Sequence, residues 1–387
     1  MSHDHGFHSS NTIRTDLAAI FVSLELSRRN WLITSLSPGK GETMSRHSVK
    51  AVALSELLRR LADLRGKAKA RTGGDFPIVV IMEAGLDGFW LYRALVGEGV
   101  ESHVVDAGSI AVPRRRRRAK SDRIDGECLL RVLMAYKRGE PRVCSMVRPP
   151  SVQEEDRRRV TRERKSLVGE RTEHTNRIKG LLFAQGIGDY EPIRRDRRQE
   201  LEALRTGDGR PLPDHLKRQI SRELDRLEML IEQIKAVEAE RDALLADHTQ
   251  GALPPGARVT ALKGIGPEFG AVLGGEVFYR TFDNRRQIGS YAGLSPTPWR
   301  SGGIDKEQGI SKAGNRRLRT TLIQIAWLWL RHQPTSELTL WFNERVKQEA
   351  SRGRRVKIVA LARKLLIALW KFEVHGEIPK GAVLKAA

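Results

Sequence analysis

The segment Pro77-Ile78-Val79-Val80-Ile81-Met82 is a short, continuous apolar run. Such a run is typical of a central strand that is buried on both faces of its sheet. An acidic residue, Glu83, follows it directly, and ligand sites of open α/β sheets lie at the carboxyl ends of their strands. The stretch therefore predicts a central strand with a functional carboxylate at its end.

The surrounding sequence predicts that this strand belongs to an α/β domain. Residues 50–68 have leucines at helical spacing, whereas the segments before them are β-rich. The predicted strands are residues 18–26, 31–36, 42–49, 77–82 and 103–105, and the predicted helices are residues 50–68, 85–97 and 121–136. This βββαβαβα order resembles that of an RNase H-like (RuvC-like) domain, in which acidic residues of the first strand, the fourth strand and the last helix converge.

Two more carboxylates lie three residues apart in Lys120-Ser121-Asp122-Arg123-Ile124-Asp125. On a helix, Asp122 and Asp125 lie on one face, where they repel each other unless a cation such as a divalent metal ion lies between them. Glu25 lies among apolar residues of the first strand, where a carboxylate is costly unless it is paired or metal-bound. We predict one pocket in which Glu25, Glu83, Asp122 and Asp125 hold two Mg2+ ions for phosphoryl transfer. The alternative is that Glu25 and Glu83 face solvent at the ends of their strands.

The composition indicates a polyanionic partner. The chain has 69 Lys and Arg residues against 47 Asp and Glu residues, which gives a formal net charge of +22 and a pI of about 10.4. A pI this high is typical of nucleic-acid-binding proteins, whose affinity falls steeply with salt. The first predicted nucleic-acid contacts are Arg114, Arg115, Arg116, Arg117, Arg118 and Lys120. The alternative is a soluble protein with a basic surface and no such partner.

The sequence also narrows the class and location of the protein. Its two cysteines, Cys128 and Cys144, form no CxxC pair, which argues against a zinc site or a disulfide framework and fits a reducing cytoplasm. No apolar run is long enough to cross a membrane, and the first residues lack a signal-peptide pattern. We expect a cytoplasmic protein that has no membrane partner.

The rest of the chain is predicted to be mainly helical. Long helical patterns over residues 153–179 and 214–245 predict an antiparallel, coiled-coil-like pair that is either a solvated spacer or a partner surface. The breaker cluster at residues 251–256 marks a boundary. The predicted divisions are a flexible tail (1–15), a RuvC-like DEDD domain (16–150), a helical region (151–250) and a C-terminal domain (251–387).

The C-terminal domain contains Lys263-Gly264-Ile265-Gly266-Pro267 between two helical patterns. This arrangement resembles a helix-hairpin-helix, in which glycines let backbone N–H groups approach a phosphate. We therefore add Lys263, Gly264 and Gly266 to the predicted nucleic-acid contacts, although a plain helical turn explains the motif equally well. Three further helices are predicted over residues 314–332, 336–350 and 357–374.

With these features the chain resembles the DEDD-type insertion-sequence transposases, a bridge-RNA-guided family with a RuvC-like N-terminal domain and a C-terminal serine transposase domain. The resemblance rests on several ordered motifs, namely Glu83-Ala84-Gly85, Lys120 to Gly126, Gly264 to Pro267, Tyr291-Ala292-Gly293-Leu294-Ser295-Pro296, Ser301-Gly302-Gly303 and Ile310-Ser311-Lys312-Ala313-Gly314-Asn315. One departure is Glu25, because similar enzymes have Asp in the first strand. The extra methylene either shifts the backbone around the metal or weakens the site.

The resemblance implies that Ser301 is a nucleophile that forms a phosphoserine link with DNA. A serine hydroxyl needs activation, which would come from the metal-bound carboxylate pocket across a dimer. Gly302 and Gly303 would leave room for a phosphate, whose charge would be neutralised by Arg300, Lys312, Arg316 and Arg317. Alternatively, Ser301 is an ordinary loop serine. The rival serine, Ser311, looks more like a helix cap before the helical pattern of residues 312–325.

The resemblance also implies an overall function: a DNA transposase or recombinase that moves an insertion sequence by strand exchange. Its partners would be double-stranded DNA of the element ends and target, and a structured guide RNA encoded by the element. It would act as a homodimer that assembles into a tetramer on DNA. Two alternatives stay open, namely a metal-only RuvC-like nuclease that leaves free DNA ends, and a degenerate protein that binds nucleic acid without cutting it.

Overall fold

The computed structural model describes residues 18–41, 43–85, 89–110, 122–141, 143–247, 253–301, 304–347 and 353–386. The predicted tail (1–15) and the basic run with Lys120 lie outside these residues. The chain divides into two compact units, Met1–Pro149 and Pro150–Ala387. A further division of the second unit at residue 250 stays a prediction. No helix in the described part of the chain is both long and apolar enough to cross a membrane.

The first unit contains a mixed six-stranded sheet with the order β3-β2-β1-β4-β5-β6. Its strands are β1 (Ile20–Glu25), β2 (Asn30–Leu36), β3 (Ser45–Lys50), β4 (Ile78–Glu83), β5 (Glu101–Val105) and β6 (Met146–Val147). β1 is parallel to β4, and β4 is parallel to β5, whereas the other neighbouring strands are antiparallel. The predicted βββαβαβα order along the chain is confirmed, whereas the order of the strands within the sheet was not predicted. The two-residue strand β6 was not predicted.

Helices cover both faces of this sheet. The bounds of the helices are α1 (Leu54–Thr72), α2 (Trp90–Gly97) and α3 (Asp122–Lys137). Alternate residues of β1, such as Val22 and Leu24, form one core with α1 and α2, while Phe21 on the opposite face packs with α3. This two-sided burial explains why β1 and β4 are almost continuously apolar in sequence.

The second unit begins with two long helices, which confirms that part of the prediction. They are α4 (Val152–Phe183) and α6 (Asp214–Ala246), with the short α5 (Arg197–Ala203) between them. Ile178 near the end of α4 packs with Leu224 near the start of α6, while Leu167 packs with Ile234 further along. The pair is therefore antiparallel. A capping box starts α4, because Ser151 and Glu154 satisfy each other's backbone N–H groups.

The remainder of the second unit is helical around one apolar core, with one two-stranded exception. Its helices are α7 (Pro267–Leu273), α8 (Arg285–Tyr291), α9 (Arg316–His332), α10 (Glu337–Lys347) and α11 (Gly353–His375), with a π-helix at Gly274–Phe278. The strands β7 (Pro296–Ser301) and β8 (Ile304–Ile310) form an antiparallel hairpin that was not predicted. The fully buried Trp329 of α9 lies in the shared core.

Two local predictions for this unit are wrong. The described segment before Lys263, residues 253–262, contains a 3-10 helix at Arg258–Ala261 and not the first α-helix of a helix-hairpin-helix. Gly264 has a φ of +87° and packs against His332, and the Lys263 N–H donates to the carbonyl of Val383. The loop is therefore held by internal contacts of the second unit.

The other error concerns the start of α9. The cap is Asn315, whose side chain accepts a hydrogen bond from the Leu318 N–H, and the helix begins at Arg316. Ser311 cannot be the cap because Lys312 and Gly314, which follow it, have φ angles of +57° and +111°. A helix does not continue through such left-handed residues.

Gly126 of α3 determines how closely this helix approaches the sheet. A Cβ at this position would lie 2.7 Å from Oγ1 of Thr34, which is fully buried in β2. The Thr side chain is stiff at χ1, so it cannot easily move away from an added Cβ. We expect Gly126→Ala to lower the free energy of unfolding by about 1–3 kcal/mol, measured by urea denaturation.

Two variants control this prediction. Gly66 of α1 is also helical but has no atom within 4 Å of a built Cβ, so Gly66→Ala should raise the free energy of unfolding by about 0.5–1 kcal/mol. Adding Thr34→Ala to Gly126→Ala should recover part of the loss. Equal effects of Gly126→Ala and Gly66→Ala would show that close packing at Gly126 is unimportant.

Candidate active site

Glu25 and Glu83 end two neighbouring parallel strands at the same level. The register pairs Leu24 of β1 with Met82 of β4, so the next residue on each strand is the carboxylate. Neighbouring strands lie about 4.8 Å apart. Because side chains alternate along a strand, both glutamates lie on the α3 face, with Phe21 and Ile81. Their arrangement follows from the buried, apolar sequences that pair β1 with β4.

Asp125 is brought to this end of the sheet by the residue after it. The Ser23 hydroxyl donates a 2.7 Å hydrogen bond to the carbonyl of Gly126, and Ser23 lies two residues before Glu25 on the same face of β1. The first turn of α3 therefore lies near the carboxyl end of β1. Asp122 is the first residue of α3, and its side chain lies outside the described atoms.

The donor chemistry of this region suits a divalent cation. Glu25, Glu83 and Asp125 offer only carboxylate oxygens, which hard cations such as Mg2+ prefer. One carboxylate oxygen of Glu25 is shielded from solvent. Within the described residues, no three acidic, His or Cys side chains are already close enough to hold a metal ion. The three carboxylates therefore have the chemistry of metal ligands. In the described structure they do not lie close enough together to surround a metal ion.

Ser301 lies at the tip of the β7–β8 hairpin. It is the last residue of β7 and pairs with Ile304 of β8, and the predicted phosphate-facing glycines Gly302 and Gly303 lie outside the described residues. Two residues between paired strands are enough for a hairpin turn. The serine is therefore carried by a strand end rather than by an irregular loop.

The base of this hairpin is closed by main-chain hydrogen bonds. The Ser311 N–H donates to the Ser295 carbonyl at 2.9 Å, and the Asn315 N–H donates to the Tyr291 carbonyl at 2.8 Å. The segments 291–295 and 311–315 are the two legs of the hairpin. Two of the sequence motifs thus meet in space where the chain enters and leaves the hairpin.

The predicted phosphate-neutralising cations have different surroundings. Lys312 and Arg316 are exposed, and so is Lys263 of the preceding loop. Arg317 instead points inward, where it donates a 2.7 Å hydrogen bond to the Thr161 carbonyl. Burial lowers the pKa of Arg317, and the nearby Glu276 carboxylate opposes this shift. The side chain of Arg300 lies outside the described atoms.

A basic groove that we did not predict lies between α8 and α11. Its volume, including the open solvent at its mouth, is about 740 Å3, and its lining residues are Arg285, Arg286, Ala360, Arg363, Lys364 and Ile367. Among the residues that the structure describes, no acidic side chain lines this groove. The four cations come from helices about 80 residues apart in the chain, so the Arg285-Arg286 pair is the only local signal of the groove. The groove offers clustered positive charge of the kind that binds a phosphate backbone.

Comparisons with known proteins give the class of the chain. Residues 40–184 match a DEDD-type family described as "Transposase", and residues 256–339 match one described as "Transposase IS116/IS110/IS902 family". A candidate transposase of Sinorhizobium fredii, y4rJ, is 64% identical over 96% of this chain and 96% of its own length. The transposase for insertion sequence element IS1111A of Coxiella burnetii is 28% identical over 75% of this chain and 76% of its own length.

The fold, the acidic strand ends and these matches define a DNA transposase, an enzyme of DNA recombination. The chain belongs to the IS110 family of DEDD transposases. The N-terminal mixed sheet with its helices is compatible with a DEDD nuclease-like domain. Membership of this family implies the use of a divalent metal ion and a DNA substrate.

The basic groove gives a prediction about DNA binding. We expect Arg286→Ala combined with Arg363→Ala to weaken binding to duplex DNA. The slope of log affinity against log salt should shrink by about two, because each lost phosphate contact removes about one. The measurement is a salt titration of binding by fluorescence anisotropy. In the control, Arg198→Ala, the slope should not change, because Arg198 already pairs with Asp225 and Glu228. An unchanged slope in the double variant would remove the groove from the DNA interface.

Proposed function

We propose that this transposase moves its insertion sequence through a serine-linked DNA intermediate, with Ser301 as the nucleophile. Glu25, Glu83, Asp122 and Asp125 hold two Mg2+ ions in an RNase H-like domain. The observation that carries the proposal is the level pairing of Glu25 and Glu83 at adjacent parallel strand ends. This register supports a metal site that the two glutamates share. The hairpin supports the role of Ser301, because it holds the serine at its tip, where DNA can approach.

Repulsion between the carboxylates supports the proposed metal site. Two glutamates side by side, with Asp125 on the facing helix, repel each other unless positive charge lies between them. When bound, the metal ions supply charge stabilisation for the attacking and leaving oxygens of a phosphoryl transfer. Glu25 stands where similar enzymes have an aspartate. It is the last residue of β1 and lies level with Glu83 of β4, and its side chain is longer than that of aspartate. We propose that the site works with Glu25.

The serine end of the proposal is a phosphoryl transfer to the side chain. The Ser301 oxygen forms a bond to a DNA phosphorus, and the bond from that phosphorus to a deoxyribose oxygen breaks. The serine hydroxyl loses its proton, and the departing deoxyribose oxygen gains one. A deoxyribose oxygen of another strand, from the element or the target, then attacks the same phosphorus, and the serine oxygen leaves with a proton. The number of phosphodiester bonds is therefore conserved. Lys312 and Arg316 are exposed next to the hairpin base, where they can face the DNA backbone.

The partners in this proposal are double-stranded DNA and a structured guide RNA. Part of the net charge of +22 would then serve the RNA. We further propose a homodimer that assembles into a tetramer on DNA, since the serine needs activation that no neighbouring histidine in its sequence provides. The protein would work in the bacterial cytoplasm at the nucleoid.

A denaturing gel tests this function. The protein is mixed with its RNA, labelled element-end DNA and Mg2+. We expect a covalent protein–DNA band in the wild type that is lost in Ser301→Ala, because the nucleophilic oxygen is gone. Asp125→Ala should also lose it, because a metal ligand is missing.

The matched control is Ser311→Ala, which removes the rival hydroxyl and should retain the covalent band. Cleaved DNA without any shifted band would instead indicate a metal-only nuclease. Tight DNA binding without a reaction in wild type and variants would indicate a degenerate binding protein. A covalent band that persists in Ser301→Ala would contradict the assignment of the nucleophile.

A further inference from the structure

Glu276 is a buried acid that the proposed chemistry does not use. Its exposed fraction is 4%, and it lies in the π-helix Gly274–Phe278. π-helical turns are rare and often occur at functional positions. A carboxylate in such a place is costly unless its neighbours compensate its charge, so the identity of those neighbours indicates its role.

On one side, Glu276 holds both legs of the Ser301 hairpin. Its Oε2 accepts a 2.8 Å hydrogen bond from Nδ2 of Asn315, which is also the N-cap of α9. Its main-chain carbonyl accepts a 2.9 Å hydrogen bond from the Tyr291 hydroxyl. Tyr291 starts one leg of the hairpin and Asn315 ends the other. A single residue therefore contacts the chain just before and just after the element that carries the serine.

On the other side, Glu276 faces the long helix α4. Its Oε1 lies 3.5 Å from the Arg162 guanidinium and 3.9 Å from Nε of Arg317. Arg317 in turn donates to the Thr161 carbonyl of α4 at 2.7 Å. Arg158 of α4 donates a 2.7 Å hydrogen bond to the carbonyl of Gly275, the residue before Glu276. The π-helix is thus fixed between α4 and the hairpin base.

We propose that Glu276 is a positioning residue that sets the orientation of the Ser301 hairpin and couples it to α4. This inference rests on the proposed nucleophile. A serine attacks a phosphate only along a narrow line, and a displacement of about 1 Å can cost on the order of 10²-fold in rate. A hairpin of two strands has few contacts of its own to resist such displacement. The buried ion pair and the Asn315 hydrogen bond supply that resistance at its base.

The chain allows an exchange of donor and acceptor that isolates this contact. Glu276→Gln removes the charge that faces Arg162 while keeping the shape of the side chain. Asn315→Asp keeps an oxygen to cap α9, but it places two carboxylates against each other. The double variant restores one carboxylate and one amide, with the hydrogen bond reversed. The readout is the single-turnover rate of Ser301–DNA adduct formation.

We expect each single variant to slow adduct formation on the order of 10²-fold. The double variant should be no slower than Glu276→Gln alone, because the amide at position 276 relieves the repulsion that Asn315→Asp creates, while the charge that faces Arg162 stays absent. In Glu276→Gln, DNA affinity should stay within about twofold of wild type, because Glu276 is buried and lines neither the basic groove nor the exposed surface around Lys312 and Arg316. A rate in Glu276→Gln equal to that of wild type would overturn the proposal. So would a double variant that is as slow as the two single losses combined.

The matched control is Glu223→Gln. Glu223 is a comparably buried carboxylate of α6, 6% exposed, which contacts His174, Arg177 and Arg226 and does not touch the hairpin. Its loss tests the effect of breaking a buried ion-pair cluster in the same unit. We expect a lower melting temperature but an unchanged adduct rate. An equal fall in rate for both variants would mean that general stability, and not positioning, explains the effect.

Hydrogen exchange gives a readout that does not depend on Ser301. Amides of residues 296–310 should exchange faster in Glu276→Gln than in wild type, while those of α10 should not change. Unchanged exchange in the hairpin would overturn the positioning role even if adducts form. If wild type forms no adduct but exchange rises as expected, the assignment of Ser301 fails and the positioning role of Glu276 stands.

Discussion

The parallel pairing of β1 with β4 is the constraint on which the first unit depends. Both strands are buried on both faces, so a slip of one residue would turn Val22 or Val80 from one core to the other. Burial in the two cores therefore favours this register, which places Glu25 level with Glu83. The position of α3 depends on the same strand, because the Ser23 hydroxyl of β1 donates a hydrogen bond to the Gly126 carbonyl of α3. The position of the acidic residues is thus a result of apolar packing.

Much of this could be predicted because the signals are local. The run from Ile78 to Met82 identifies a buried strand without knowledge of its partners, and an acid that follows such a run lies at a strand end. The leucines of α6 recur at helical spacing, so the long helix was found within a few residues of its bounds. Local periodicity decides these elements because their burial repeats along one segment of chain.

Features that depend on distant residues were not accessible in the same way. The β7–β8 hairpin has a weak pattern, and its Gly302-Gly303 turn signal was interpreted as space for a phosphate. The cap of α9 was placed at Ser311 because a serine before a helical pattern is a common cap, whereas the left-handed φ of Lys312 delays the helix to Arg316. The ion pair between Glu276 and Arg162 joins residues that are 114 positions apart, and such a separation leaves no local sequence pattern.

Because hydrogen bonds close the base of the β7–β8 hairpin, its two strands can vary independently of the helices around them. Main-chain hydrogen bonds between the legs do not depend on side-chain identity, so the tip can change in length and sequence while the surrounding helices keep their packing. Gly293 and Gly314 are the exceptions, because each has a positive φ and no room for a Cβ beside the opposite leg. Transposases of related insertion sequences can therefore differ in what the hairpin tip contacts while they keep the same surrounding fold.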